Sequence, residues 1–172
     1  QFINDETFPD IPAYPANSEG ILSWHRRAVA PYVWQTVDYE RPDPEKMVVY
    51  ELLIRDFLAD HSFKSLTDTL DYLERLGVNA IELMPVSEFE NNNSWGYNVG
   101  FHMALDKYYG TPEDFKALVD ECHARGMAVI LDVVYNHAFG QSPLARMWWD
   151  DAAFRPTPDN PYLNVTARHP FN

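Results

Sequence analysis

The chain has 172 residues, with 13 Lys+Arg against 26 Asp+Glu and a formal net charge of −13. An apolar share of 46% supplies a real core and excludes a disordered tail, and the length fits one or at most two domains. Such an acidic balance argues against nucleic acid or an anionic membrane as partner, because phosphate binding needs clustered Lys and Arg. A single cysteine, Cys122, forms no internal disulfide, and no apolar run approaches the ~18 residues of a transmembrane span. No targeting segment opens the chain, so the sequence does not specify a compartment.

Proline divides the chain into three parts: six of the 13 prolines precede Met47 and five follow Gly140. Those flanks lack sustained periodicity and read as extended segments lying over a surface. Between them the pattern is regular. Met47–Ile54 is a short apolar, β-branched run, which predicts a strand buried on both faces. Leu66, Leu70, Leu73 and Leu76 then recur at helical spacing, with Ser65 as the expected N-cap and Gly77 as the residue that ends the helix. Asn79–Met84 predicts a second strand, stopped by Pro85, and the stretch from there to Gly110 reads as a long loop. Thr111-Pro-Glu-Asp opens a second helix with a capping hydroxyl, a proline at the first turn and two carboxylates at the positive end of the dipole. Phe115, Leu118, Val119 and Cys122 form its apolar stripe and Gly126 ends it. Ala128–Val134 predicts a third strand.

Strands buried on both faces and joined by helical crossovers predict a parallel α/β sheet. Three strands are few for a finished sheet, and an eight-stranded barrel takes about 250 residues. The pattern therefore predicts part of a larger protein. In such sheets the loops after the strands carry function, and two stand out. The first holds Asn91-Asn-Asn-Ser-Trp-Gly-Tyr-Asn-Val-Gly100; a structureless loop that long is usually functional. The second begins Tyr135-Asn-His-Ala-Phe-Gly140, where Asp132, Asn136 and His137 put a carboxylate, an amide and an imidazole together.

Tyr97, between Asn/Ser and Gly on its loop, is as suited to facing a ligand as to packing, and Trp95 less so. His25, His61, His102, His123 and His169 show no metal-ligand spacing and receive no role. Trp148-Trp149 reads as packing, and the N-x-S/T patterns at Asn92 and Asn164 carry no weight alone. Phosphate loops, nucleophile elbows, zinc patterns and kinase signatures are all missing from the sequence.

Ser94-Trp-Gly-Tyr-Asn98, Tyr109-Gly-Thr-Pro-Glu-Asp114 and Asp132-Val-Val-Tyr-Asn-His137, in this order, closely resemble motifs of the alpha-amylase family of glycoside hydrolases. The resemblance implies the first three strands of a TIM (β/α)8 barrel, incomplete in this chain. Residues 1–44 resemble the connector from a preceding immunoglobulin-like module, 45–140 the first part of the catalytic barrel, and 141–172 the start of the insertion after strand three.

The resemblance also implies roles. Tyr97 stacks on the glucosyl unit at the cleaved bond, His137 hydrogen-bonds its hydroxyls, and Asp132 and Trp95 support them. Asn136 is one ligand of a structural calcium ion. These roles suit a sugar, whose C–H face is apolar and whose rim is polar, and an amide oxygen suits a hard cation. The implied substrates are α-1,4-glucans such as starch, glycogen and maltooligosaccharides, which favour a secreted or cell-surface enzyme. Retaining hydrolysis needs two carboxyl groups about 5–5.5 Å apart. The family places its catalytic carboxylates after strands four, five and seven, and no acidic residue here matches them. The chain is thus expected to supply no catalytic carboxylate and to be inactive without the remainder of the barrel. A branching, debranching or transglycosylating relative, or a barrel kept only for binding, shares the same motifs.

Overall fold

The computed structural model describes residues 30–163, so His25, His169, Asn164 and much of the expected connector lie outside the described residues. The chain divides into two compact units.

The first unit combines the residues up to Leu83 with 107–130. A single 3-10 turn at Pro44–Lys46 leads into β1 (Val49–Leu52), which passes directly into a short helix α1 (Ile54–Phe57). The predicted strand is therefore cut short at its C-terminal end. It is also not buried on both faces: Val49 is 45% exposed while Leu52, Leu53 and Ile54 are buried. The reason is position, since β1 forms one edge of the sheet.

The helix predicted from the leucine spacing is broken in two, α2 (Phe63–Thr67) and α3 (Leu70–Arg75). Thr67 Oγ1 donates to the Phe63 carbonyl and Thr69 Oγ1 to that of Ser65, while the Thr69 amide closes a tighter turn on Leu66. Hydroxyls competing for backbone acceptors in this way bend helices. The N-cap is Ser62, not Ser65; Ser65 sits three residues on and completes a capping box. Leu66, Leu70 and Leu73 are fully buried, each contributing about 1.5–3 kcal/mol. Leu76 is 53% exposed because the helix has ended there. Gly77 takes φ +80°, and the Val78 amide reaches back to the Leu73 carbonyl, as expected of a left-handed helix stop.

Strand β2 (Ala80–Leu83) pairs with β1 in parallel, Val49 opposite Ala80 and Leu52 opposite Leu83. The long helix of this unit, Pro112–Ala124, begins at Thr111 as predicted. Thr111 Oγ1 accepts from the Asp114 amide at 3.1 Å, and Asp114 Oδ2 accepts from the Thr111 amide at 2.9 Å. Its buried positions include Leu118 and Cys122, with Phe115 tilted against Phe63 at 5.1 Å. The last strand of the sheet, Ala128–Leu131, lies beside β2, so the order is β1, β2, Ala128–Leu131. This is a partial α/β piece, with the central strand β2 the best buried.

Ahead of the sheet, residues 32–36 are fastened to the long helix by the carboxylate of one residue. Asp120 accepts from the Gln35 and Thr36 amides, both at 2.8 Å, and from the Tyr32 hydroxyl at 3.1 Å. Tyr39 stacks on His123 with centroids 3.8 Å apart. The Gln35 amide, before the other donors, holds the Asp120 carboxyl below the usual carboxylate range despite its burial.

The second unit combines residues 84–106 with those from Leu131 onward. Here the predicted long loop proves to be an antiparallel hairpin, β3 (Ser87–Phe89) with β4 (Val99–Leu105). Its pairing slips twice, and those irregularities hide the alternation that would betray a strand in the sequence. Phe89 and Val99 are buried and face each other in register. The connection turns through Asn91 and Asn92, both at positive φ, which asparagine tolerates. In chain order the long helix Pro112–Ala124 (α4) and the strand Ala128–Leu131 (β5) of the first unit come next. Beyond them lie α5 (Pro143–Arg146), capped by the buried Ser142, and a small hairpin, β6 (Trp149–Asp150) with β7 (Arg155–Pro156). Among the described residues no helix is long and apolar enough to cross a membrane.

Candidate active site

The second unit gathers the residues singled out from the two loops. Tyr97 follows Gly96, whose φ of +96° and tight approach to Pro85 (an added Cβ would stand 2.8 Å from the Pro85 carbonyl oxygen) suit glycine alone. Ser94 and Asn98 close the same turn by a side-chain hydrogen bond, and the Gly96 amide donates to Ser94 Oγ. Asn98 Nδ2 in turn donates to the Glu90 carbonyl. The short motif therefore builds its own rigid corner, and Tyr97 is carried on it.

From that corner the Tyr97 hydroxyl donates to Asp132 Oδ2 at 2.5 Å. Asp132 lies just past β5, so the carboxylate meets the phenol from a segment 35 residues away in the chain. The ring is left half-buried, anchored at its polar end. A phenol fixed by a carboxylate keeps its orientation.

His137 is held at both ring nitrogens. Nε2 stands 2.8 Å from the Tyr97 carbonyl and must therefore donate to it. Nδ1 stands 3.1 Å from Asn136 Oδ1. With the proton on Nε2, a neutral ring pairs with Asn136 only through the amide's NH2, half a turn away about the last side-chain bond. Any ligand group reaching this imidazole must share or displace a protein partner. Asn136 itself is exposed, and Trp95 is 63% exposed. Tyr97, Asp132, His137 and Asn136 thus form one chain of contacts, while Trp95 stands at the surface of the same loop.

Two contributors had no sequence signal. His102, assigned no role from spacing, donates from Nε2 to the His137 carbonyl at 3.0 Å. Glu90 accepts from the Gln141 amide at 2.7 Å. Both act on residues far along the chain, which no local pattern links. Trp148 and Trp149 lie in aromatic pairs, with Tyr162 at 5.3 Å and Phe154 at 5.4 Å.

Calcium takes six to eight oxygens, and Asn136 brings one amide oxygen. Among the described residues no group of three or more His, Cys, Asp or Glu could hold a metal. Calcium also accepts amide and backbone carbonyl oxygens, so a shell around Asn136 would draw on such oxygens as well as carboxylates.

The profile of the alpha-amylase catalytic domain matches residues 56–162. The malto-oligosyltrehalose trehalohydrolase of Saccharolobus solfataricus is 39% identical over 135 residues, covering 78% of this chain and 24% of that protein. An oligo-1,6-glucosidase of Heyndrickxia coagulans is 33% identical over 123 residues, covering 69% of this chain and 21% of that protein. A crystal structure of an alpha-amylase-like protein from Salmonella typhimurium superposes with a TM-score of 0.64 at 36% identity, covering 74% of this chain and 22% of that one. These matches imply a fragment of the TIM barrel of a glycoside hydrolase, of which the described residues form a partial α/β piece. The chain belongs to the alpha-amylase family. It spans about a quarter or less of the length of the curated relatives it matches.

Proposed function

We propose that the polypeptide containing this chain is a retaining glycoside hydrolase acting on α-linked glucans, with α-1,4-linked maltooligosaccharides, starch and glycogen as its substrate class. The observation that carries this is the Tyr97–Asp132–His137 cluster in a chain of the alpha-amylase family. In this reading Tyr97 offers its ring to the C–H face of the glucosyl unit at the cleaved bond. Asp132 holds the phenol in plane, and the His137 edge recognises hydroxyls on the rim. Asn136 is at most one ligand of a structural calcium whose other oxygens come from elsewhere in the polypeptide.

The hydrolytic step itself falls to two carboxyl groups about 5–5.5 Å apart, one attacking the anomeric carbon and one protonating the leaving oxygen. In this reading both come from elsewhere in the polypeptide, because no acidic residue of this sequence matches the family's catalytic motifs. The 172 residues alone are therefore inactive. Likeness to malto-oligosyltrehalose trehalohydrolases supports a second reading, cleavage beside a terminal trehalose unit.

The test is to assay the full-length polypeptide on maltooligosaccharides, an α-1,6-linked isomaltooligosaccharide and a malto-oligosyltrehalose, following the anomer released by NMR. Retained α-anomer from maltooligosaccharides supports the first reading, and preferential release of trehalose supports the second. No product from any of the three, or inverted anomer, overturns the proposal.

A further inference from the structure

We propose that His102 is a positioning residue for the sugar-facing His137, acting through the backbone of His137 and not through substrate; this rests on the glucan-binding reading of the site. His102 lies in the middle of β4, and its Nε2 donates to the His137 carbonyl at 3.0 Å. That bond fixes the peptide plane that follows His137. One step further, the Phe139 amide donates to the Val99 carbonyl at 2.9 Å. The segment after β5 is thereby held to β4 at two points, one on each side of Ala138.

The ring of His137 is set separately, by Nε2 on the Tyr97 carbonyl. Peptide plane and ring together leave the side chain one orientation. Without the His102 bond, the main chain at His137 can rotate and carry the imidazole edge with it, while the Tyr97 corner, built by Ser94, Gly96 and Asn98, stays in place. The damage would fall on hydroxyl recognition and not on the stacking ring.

The chemistry of His102 argues that this bond is its purpose. Donation to a carbonyl requires the proton on Nε2, which leaves Nδ1 as a bare acceptor. That Nδ1 is buried and meets no hydrogen-bond partner among the described residues. A half-satisfied imidazole is a poor choice for filling space, where a phenylalanine or leucine would cost nothing in lost hydration. It is a sensible choice where one donor has to be aimed at one carbonyl from a strand.

The experiment uses the full-length polypeptide. His102→Phe keeps a ring and loses the donor; His102→Gln restores a side-chain N–H of similar reach. Each is combined with His137→Ala. Expected is a fall of about tenfold in kcat/KM on maltooligosaccharides for His102→Phe, the scale of one directed hydrogen bond. Recovery to within about threefold is expected for His102→Gln, on the same scale. In the His137→Ala background His102→Phe should cost nothing further, because the residue it positions is gone. The carbonyl carbon-13 resonance of His137 should shift upfield in His102→Phe and return in His102→Gln. Losses that multiply in the double variant, or a carbonyl resonance unmoved by His102→Phe, overturn the proposal. If the wild-type polypeptide turns over no glucan, the functional reading fails while the carbonyl resonance still decides whether His102 holds His137.

Discussion

Tyr97 and Asp132 meet through a 2.5 Å hydrogen bond from phenol to carboxylate, joining the corner after β3 to the segment after β5. Neither partner can be placed by its local sequence, yet each determines what the other does. The half-buried carboxylate accepts a hydrogen bond from the phenol, and the phenol is kept from swinging by the carboxylate.

That pair separates stacking from anchoring. Tyr97→Phe keeps the ring and leaves Asp132 without its partner, so it should lower stability by about 1.5 kcal/mol, as for a hydrogen bond to a charged group. Glucan affinity should change only a few-fold. Tyr97→Ala removes the ring as well, and affinity for maltooligosaccharides should fall by at least tenfold. Urea unfolding and calorimetric titration of the full-length polypeptide check the two effects independently.

Gly96 carries the corner on which Tyr97 rides. With φ at +96° and the Pro85 carbonyl oxygen 2.8 Å from where an added methyl would sit, Gly96→Ala is strained both in its backbone and in its surroundings. The expected destabilisation exceeds about 1 kcal/mol. The Tyr97 amide and ring resonances should shift, while those of α4, in the other unit, should not.

Asp120 makes the attachment of residues 32–36 dependent on pH. Its folded carboxyl lies below the ordinary range, chiefly because the Gln35 amide donates to it. A depressed carboxyl stabilises the fold fully above the unfolded value of about 3.9. That contribution is lost as pH falls through the lower, folded value. Asp120→Asn should abolish this part of the acid sensitivity. Faster amide exchange at Gln35 and Thr36 in the variant, at neutral pH, is the direct readout.

Cys122 is buried in α4, and burial pushes its thiol up to about 12. At pH 8 it should resist iodoacetamide in the folded protein and react once urea unfolds the first unit, because the thiolate is the reactive species. Mass spectrometry of the alkylated peptide measures this, and rapid labelling without denaturant would contradict the packing described for α4.

Much of the first unit was legible along the chain. The helix start at Thr111-Pro-Glu-Asp, the glycine stops at Gly77 and Gly126 and the buried Leu66, Leu70 and Leu73 all obey rules that operate within a turn or two of helix. The division of the first crossover into α2 and α3 was not legible, since it depends on threonine hydroxyls competing for carbonyls. The β3–β4 hairpin was hidden for a related reason. Two slips in its register break the alternation by which a strand is read.

The candidate site divides along the same line. Reading along the chain singles out Tyr97, Asp132, Asn136 and His137 and suffices for the family their motifs indicate. It does not reveal that Tyr97 is anchored on Asp132, that His137 already has a protein partner at each nitrogen, or that His102 grips its carbonyl; those are properties of the folded chain. The physical reason is range. Capping, turns and hydrophobic period act over a few residues, whereas the Tyr97–Asp132, His102–His137 and His137–Tyr97 contacts join groups 35 or 40 positions apart, and only folding brings those together.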